Sequence, residues 1–165
     1  MNDPALMIEV NDAAGTDRLG RCLGAALRRG DVVALVGPLG VGKTTLVRSM
    51  AAGAGVPDPR AVNSPTFVIV NEYLGQVAGE KLRIYHADSY RLRDGRDLEA
   101  LGFDEMCALG AVLIEWADRV EEILPPDRLT VRIEPVGQTA RRFHLQAGGA
   151  AERLLKPLDA AATEP

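Results

Sequence analysis

The stretch that decides the fold runs from Asp31 to Thr44 and reads DVVALVGPLGVGKT. Its first part, residues 31–36, is a short apolar run that favours a strand buried on both faces. Residues 37–44 match the pattern G-x-x-x-x-G-K-[ST] at every fixed position, and a helical pattern continues to about Ala54. A buried strand, a glycine-rich turn and a helix in this order predict a loop that binds phosphate groups.

Each fixed position of this motif has a physical reason. Glycines let the backbone bend so that several N–H groups converge on phosphate oxygens, and the start of the following helix adds a partial positive charge. Lys43, one of only three lysines in the chain, supplies a flexible cation for the β- and γ-phosphates. The Thr44 hydroxyl is a hard oxygen ligand suited to Mg²⁺. The predicted nucleotide-binding residues are Pro38, Leu39, Gly40, Val41, Gly42, Lys43, Thr44 and Thr45.

Two acidic residues are candidates to complete the site. Glu115 lies near the end of the apolar run AVLIEW, residues 111–116, where a phosphate-loop protein usually carries its metal-linked carboxylate. We assign Glu115 to Mg²⁺, directly or through water, with possible help to an attacking water. Asp88 and His86 lie in HADSYR after a β-rich segment, and alternate residues of a strand share a face. Both could therefore point at the phosphates, with Asp88 polarising water or holding Mg²⁺ through water.

Four further residues have weaker signals. Thr66, in NSPTFVIV, has the position of the switch threonine that senses γ-phosphate in GTPases, although Ser-Pro-Thr is also a common turn. Arg91 would neutralise developing phosphate charge or simply pair with Asp88. Tyr90 is better explained by packing than by chemistry. Trp116, the single tryptophan, is expected to be a core anchor, with nucleotide-linked movement as the alternative.

Composition limits the function class. The chain has 165 residues, a formal charge of -4 and only 4% aromatic residues, which argues against a protein that binds nucleic acid on its own. No apolar run approaches the length of a membrane helix, and the N-terminus lacks the features of a signal peptide. Cys22 and Cys107 are far apart and have no metal-binding spacing, so we expect a cytoplasmic protein with no membrane partner.

The patterns predict one α/β domain over residues 1–165: a P-loop NTPase-like sandwich with a central mixed β-sheet flanked by helices. We expect residues 1–5 and about 156–165 to be frayed. The first helix is expected from Thr16, as its N-cap, to Arg29. The remaining predicted segments are a strand at residues 6–10, hairpins at 66–87 and 129–146, a broken helix at 96–106 and a short helix at 118–124.

Four motifs taken together resemble one known family. GPLGVGKTT, NSPTFVIVNEY, YHADSYRL and IEWADR occur in the order and spacing of the bacterial TsaE family, across most of the chain from Thr16 to about Leu145. Members of that family are small P-loop ATPases required to make threonylcarbamoyladenosine in tRNA.

The resemblance implies a more specific function than the residues alone. It implies that ATP and Mg²⁺ bind, that ATP hydrolysis is slow alone, and that the chain associates with the proteins TsaB and TsaD, reaching tRNA only through their complex. Hydrolysis would reset that complex between turnovers. In this sequence Lys43, Thr66, Asp88 and Glu115 would be the catalytic residues, with Thr44 and Glu115 at the metal. His86, Tyr90, Arg91 and Trp116 also match the family pattern.

Two other functions remain alternatives at this point. A small-molecule kinase would need an acceptor pocket and usually an arginine-rich lid, and Arg141 and Arg142 are the only late adjacent arginines. A GTP-operated switch would need the guanine-reading motif N-K-x-D, which this sequence lacks. The sequence leaves open which of Asp88 and Glu115 binds the metal directly and which residues contact adenine.

Overall fold

The computed structural model describes residues 3–63 and 69–162, which form a sheet of seven strands with helices on both faces. The strands are β1 (Ala5–Val10), β2 (Val32–Val36), β3 (Val70–Val77), β4 (Glu80–Asp88), β5 (Gly110–Glu115), β6 (Leu129–Pro135) and β7 (Arg141–Ala147). The α-helices are α1 (Ala13–Ala25), α2 (Lys43–Gly53), α3 (Gly95–Ala100), α4 (Phe103–Leu109) and α5 (Lys156–Ala162). Three-ten helices cover Pro59–Ala61, Ala117–Ile123 and Gly149–Leu155.

The sheet order is β1-β7-β6-β2-β5-β4-β3. The four inner strands β6, β2, β5 and β4 run parallel, whereas β3, β7 and β1 pair antiparallel. The prediction of an α/β fold with a mixed sheet is therefore confirmed. The register pairs Glu115 with Leu35 on one side and with Asp88 on the other, so the ends of β2, β5 and β4 meet at one edge of the sheet.

The two central strands, β2 and β5, are buried on both faces, as their unbroken apolar runs predict. In β2, Val33 and Leu35 face the core formed with α1 and α2, while Val32 and Ala34 face the core formed with α3 and α4. Glu115 continues the alternation of Ala111 and Leu113 along β5. It therefore lies on the α2 face of the sheet, beneath the helix that begins at the phosphate-loop lysine.

Helices α1 and α2 approach each other unusually closely because glycines line their contact. A methyl group at Gly24 would overlap the backbone carbonyl of Met50, and one at Gly53 would overlap the carbonyl of Arg21. This close approach holds the start of α2 firmly against the N-terminal part of the chain. None of the helices in the described part of the chain has both the length and the apolarity needed to cross a membrane.

The first helix begins earlier than the sequence analysis predicts. Its N-cap is Asp12, whose side chain accepts a hydrogen bond of 2.9 Å from the Gly15 backbone N–H. Thr16 lies inside the first turn and is buried. The prediction was wrong because aspartate is at least as good an N-cap as threonine, and the apolar spacing hides the first turn.

The C-terminal segment is more ordered than we expected. Residues 149–162 are helical, and Leu154, Leu155 and Leu158 are buried in the core on the α1 side. Arg153 also forms an ion pair with Asp31, with Nη2 at 2.6 Å from Oδ1. The expected fraying from about residue 156 is thus not seen up to residue 162, and Ala5 at the other end is paired in β1. Residues 149–155 form a three-ten helix, which does not have the residue spacing of an α-helix. The apolar residues of this segment therefore show only a weak helical pattern in the sequence.

Candidate nucleotide-binding site

A cleft of about 450 Å³ opens at the edge where β2, β4 and β5 end. This is the place where open α/β sheets bind ligands. Its lining residues come from the phosphate loop, the start of α2, the residue before β3 and the ends of β4 and β5: Leu39, Gly40, Gly42, Lys43, Thr44, Thr45, Ile69, Asp88, Tyr90, Arg91, Glu115 and Trp116. Six of the eight predicted nucleotide-binding residues thus line the cleft.

The phosphate loop has the backbone that its glycines permit. Gly40 and Gly42 have φ values of 76° and 111°, which residues with a side chain rarely adopt. Gly42 is the N-cap of α2 and carries no side-chain cap, so the first N–H groups of the helix face the loop. Pro38 contributes a backbone carbonyl to the loop interior, and the Val41 side chain is buried in the core.

Lys43 is folded back onto this loop. Its Nζ donates to the carbonyls of Gly37 at 2.6 Å and Pro38 at 2.9 Å, and lies 4.0 Å from the ring centre of Trp116. Burial lowers the pKa of the amine, while the charges of Glu115 and other nearby acids oppose that shift. The ammonium group of Lys43 is therefore held beside the loop, where an anion bound by the loop can replace the two carbonyls as its partner.

Glu115 receives hydrogen bonds from two elements at once. The Thr44 hydroxyl donates to its carboxylate, at 2.8 Å from Oε1 and 2.9 Å from Oε2. The Nε2 atom of His86 lies 2.5 Å from Oε2. Glu115 is 3% exposed and His86 is fully buried. The contact with His86 goes beyond the sequence analysis, which only placed His86 on the correct face of the strand.

Asp88 lies on the cleft wall beside Glu115. Its Oδ1 accepts a hydrogen bond of 3.0 Å from the backbone N–H of Tyr90. Burial raises the pKa of this carboxyl and the charge of Glu115 adds to the effect, while the hydrogen bond from Tyr90 opposes it. A half-buried carboxylate with an oxygen toward the cleft can accept a hydrogen bond from water or from a hydrated cation.

The donor set at Thr44 and Glu115 fits Mg²⁺. A hydroxyl and a carboxylate are hard oxygen ligands, and they lie together beneath the phosphate loop. Within the described ranges no group of three or more His, Cys, Asp or Glu side chains could hold a metal. Mg²⁺ is usually held by one or two protein ligands together with substrate phosphates and water, and Thr44 and Glu115 offer two oxygen ligands of this kind.

Trp116 and Tyr90 form one wall of the cleft. Their ring centres are 4.9 Å apart, and Arg119 lies 5.0 Å from the Tyr90 ring. Trp116 is only half-buried, so the expectation of a core anchor is wrong. Its φ of 55° is unusual for a residue other than glycine and turns the chain so that the indole lies beside Lys43. No sequence pattern signals this turn.

The remaining candidates have different outcomes. Arg91 is exposed on the cleft wall, and the ion pairs found among the described residues do not include one between Arg91 and Asp88. Thr66 lies outside the described residues, so its predicted switch role stays a prediction. Arg141 donates to the Val41 carbonyl at 3.0 Å, and Arg142 pairs with Glu9 at 2.6 Å. Both arginines are thus engaged at the sheet edge.

A second, smaller cleft lies on the other side of the phosphate loop. It has a volume of about 250 Å³ and shares Gly40, Gly42 and Thr45 with the first. Its outer lining comes from the start of α1 and the connection between β6 and β7, at Ala13, Thr16, Gln138, Thr139 and Arg141. The loop therefore borders two spaces rather than one.

Comparisons with known proteins identify relatives over most of the chain. The family model described as "Threonylcarbamoyl adenosine biosynthesis protein TsaE" matches residues 10–143. The TsaE protein of Bacillus subtilis is 41% identical over 81% of this chain and 80% of its own length. The TsaE protein of Streptomyces coelicolor is 42% identical over 82% of this chain and 90% of its own. A crystal structure of YdiB from Bacillus subtilis matches 99% of both chains with a TM-score of 0.78 and 30% identity.

Proposed function

Because the chain belongs to the TsaE family of threonylcarbamoyladenosine biosynthesis proteins, we propose that it serves this tRNA modification as a Mg²⁺-dependent ATPase. The observation that carries the proposal is the contact between Thr44 Oγ1 and the Glu115 carboxylate beneath a phosphate loop. A hydroxyl from α2 and a carboxylate from β5 lie in contact there, and these are oxygen groups of the kind that would hold a phosphate-bound Mg²⁺.

The phosphate loop would bind the β- and γ-phosphates of ATP. Backbone N–H groups at the start of α2 supply donors, and Lys43 supplies the charge once its Nζ exchanges the carbonyls of Gly37 and Pro38 for phosphate oxygens. No side chain has to cross the cleft for this exchange, because Lys43 already lines it. The adenosine part would occupy the second cleft, which shares Gly40 and Gly42 with the phosphate site.

The remaining residues of the site would hold the metal, orient water and stabilise developing charge. Thr44 and Glu115 would hold Mg²⁺, which when bound neutralises charge on the phosphates. Asp88 has an oxygen at the cleft wall and would orient the attacking water or a water bound to the metal. Arg91, on the same wall, would stabilise negative charge that develops on the transferred phosphoryl group.

Partner proteins would complete the catalytic cycle. We propose that TsaB and TsaD associate with this chain, that ATP hydrolysis resets their complex between turnovers, and that tRNA is reached through that complex. The mouth of the cleft supports a partner-dependent site, because Leu39 at the loop tip is 85% exposed and Tyr90 is 51% exposed. A partner protein bound over this mouth would bury both side chains.

Reconstitution with TsaB and TsaD tests the proposal. We expect ATP turnover to rise when both partners are added, and ATP-dependent tRNA modification to disappear in Lys43→Ala. Lys81→Ala is the matched control, because Lys81 is an exposed lysine at the opposite end of β4. Unchanged tRNA modification in Lys43→Ala would contradict the mechanism, and a phosphorylated small-molecule product formed without partners would favour a kinase.

No observation favours the kinase. Arg141 and Arg142 are the candidate lid residues, and both are held at the sheet edge by the Val41 carbonyl and by Glu9. An arginine lid must be free to close over a bound phosphate, so these contacts argue against that role.

A further inference from the structure

The buried contact between His86 and Glu115 has a functional consequence that rests on the proposed ATPase. We propose that His86 is a positioning residue: its Nε2–H holds the Glu115 carboxylate in the orientation that binds Thr44 and Mg²⁺. The geometry is a chain of three side chains, in which His86 and Thr44 both donate to one carboxylate. Each of the three comes from a different element: β4, α2 and β5.

The two ring nitrogens of His86 have unequal surroundings. Nε2 lies 2.5 Å from Oε2 of Glu115, whereas Nδ1 is buried with no hydrogen-bond partner among the described residues. A carboxylate offers only acceptor atoms, so the hydrogen belongs on Nε2. A hydrogen on Nδ1 would be a buried donor without an acceptor, which is costly. The surroundings therefore place a hydrogen on Nε2, from which it is donated to Glu115.

His86 acts through Glu115 and does not touch the nucleotide. The ring is fully buried and is absent from the residues that line the cleft, whereas Glu115 is among them. Without His86, the hydrogen bond from Thr44 would be the one that Oε2 keeps among the described residues. A buried carboxylate with fewer donors can rotate away from the metal, and small misplacements of catalytic groups carry large kinetic costs.

Two substitutions at His86 separate positioning from packing. His86→Gln keeps an N–H donor near the position of Nε2, whereas His86→Leu fills the space without a donor. We expect His86→Leu to lower kcat in the complex with TsaB and TsaD by roughly 100-fold and to weaken Mg²⁺ binding to the ADP-bound chain. ADP binding in EDTA should stay within about twofold, because the phosphate loop is unchanged. His86→Gln should recover most of both losses.

Three results would overturn the proposal. They are an unaltered Mg²⁺ affinity in His86→Leu, equal damage in His86→Gln and His86→Leu, and a parallel loss of metal-free ADP binding in His86→Leu. Thermal unfolding of each variant shows whether it folds. If a variant does not fold, ¹⁵N NMR of the imidazole ring of His86 in the wild-type protein tests the proposal instead. The expected spectrum has a hydrogen on Nε2 that loses its hydrogen-bond signature in Glu115→Ala. A ring without a hydrogen on Nε2 would contradict the proposal.

The NMR measurement also separates this inference from the proposed function. It needs no nucleotide, metal or partner, and the Mg²⁺ titration needs only ADP. If the wild type does not hydrolyse ATP with TsaB and TsaD, the ATPase proposal fails, while the tautomer and the Mg²⁺ affinity still decide whether His86 holds Glu115.

Discussion

Glu115 is the residue on which three elements of the molecule converge. Its own strand, β5, places it at the edge of the sheet, β4 supplies His86 and α2 supplies Thr44. The next residue, Trp116, turns the backbone with a φ of 55° and puts an indole beside the loop lysine. Such an unusual backbone conformation persists only where its surroundings hold it, and it occurs here immediately after the buried carboxylate.

Substitutions of the two acidic residues should separate hydrolysis from nucleotide binding. We expect Asp88→Asn and Glu115→Gln to lower ATP turnover by about 10²-fold or more, because each removes a charge that acts on water or metal. ADP binding without Mg²⁺, measured by calorimetry, should change little, since the phosphate loop and Lys43 are intact. Glu105→Gln, at an exposed position of α4, is the control that should leave both unchanged. Equal losses of hydrolysis and binding in a folded variant would instead indicate a structural role.

At the scale of elements, the contact between α1 and α2 places the phosphate loop. The two helices meet through glycines, and the Ser49 hydroxyl on α2 donates to Asp17 on α1 at 2.9 Å. Because α2 begins at the loop, any displacement of this helix pair moves the N–H groups at the start of α2, which we propose bind the phosphates. The close approach of these helices is therefore part of the site.

Gly24→Ala should destabilise the protein although it changes only one hydrogen into a methyl group. The added carbon would overlap the backbone of Met50, which cannot give way without moving α2. Overpacking of this kind typically lowers the free energy of unfolding by about 1–3 kcal/mol. Urea denaturation measures the change. The control is Gly137→Ala, where the nearest atom would be 3.4 Å away and the backbone conformation is ordinary. Equal stability of the two variants would contradict the packing argument.

The sequence predicts the parts of this molecule that follow local rules. The strand and helix around residues 31–54 and the carboxylate at Glu115 are such parts, because apolar runs, glycines and one motif determine them. The wall formed by Trp116 and Tyr90 could not be predicted, since it depends on a backbone turn and on contacts between distant elements. The hydrogen bond from His86 likewise depends on the register of two strands that are separated in sequence by two helices.

At the scale of the whole molecule, the two ends of the chain brace the sheet. Strand β1 pairs with β7 at one edge, and the segment after β7 packs three buried leucines under α1. Arg153 of this segment binds both carboxylate oxygens of Asp31, at 2.6 and 2.7 Å, directly before β2. The strand that leads into the phosphate loop is thus tied to the C-terminal segment as well as to its neighbours in the sheet.

Removal of the Arg153 side chain should cost stability in a pH-dependent manner. Burial raises the pKa of Asp31, while Arg153 opposes that shift, so the pKa should rise further in Arg153→Leu. A carboxyl whose pKa is raised by folding stabilises the protein when it is protonated, and this stability is lost as the pH rises through the folded pKa. At pH 7 we expect Arg153→Leu to lower the free energy of unfolding by about 2–3 kcal/mol, since a nearly buried carboxylate loses its partner. The deficit should shrink as the pH falls toward 4.

Urea unfolding at several pH values measures the change in the free energy of unfolding. The control is Arg60→Leu, because Arg60 is exposed. A deficit independent of pH would mean that Arg153 acts through packing alone.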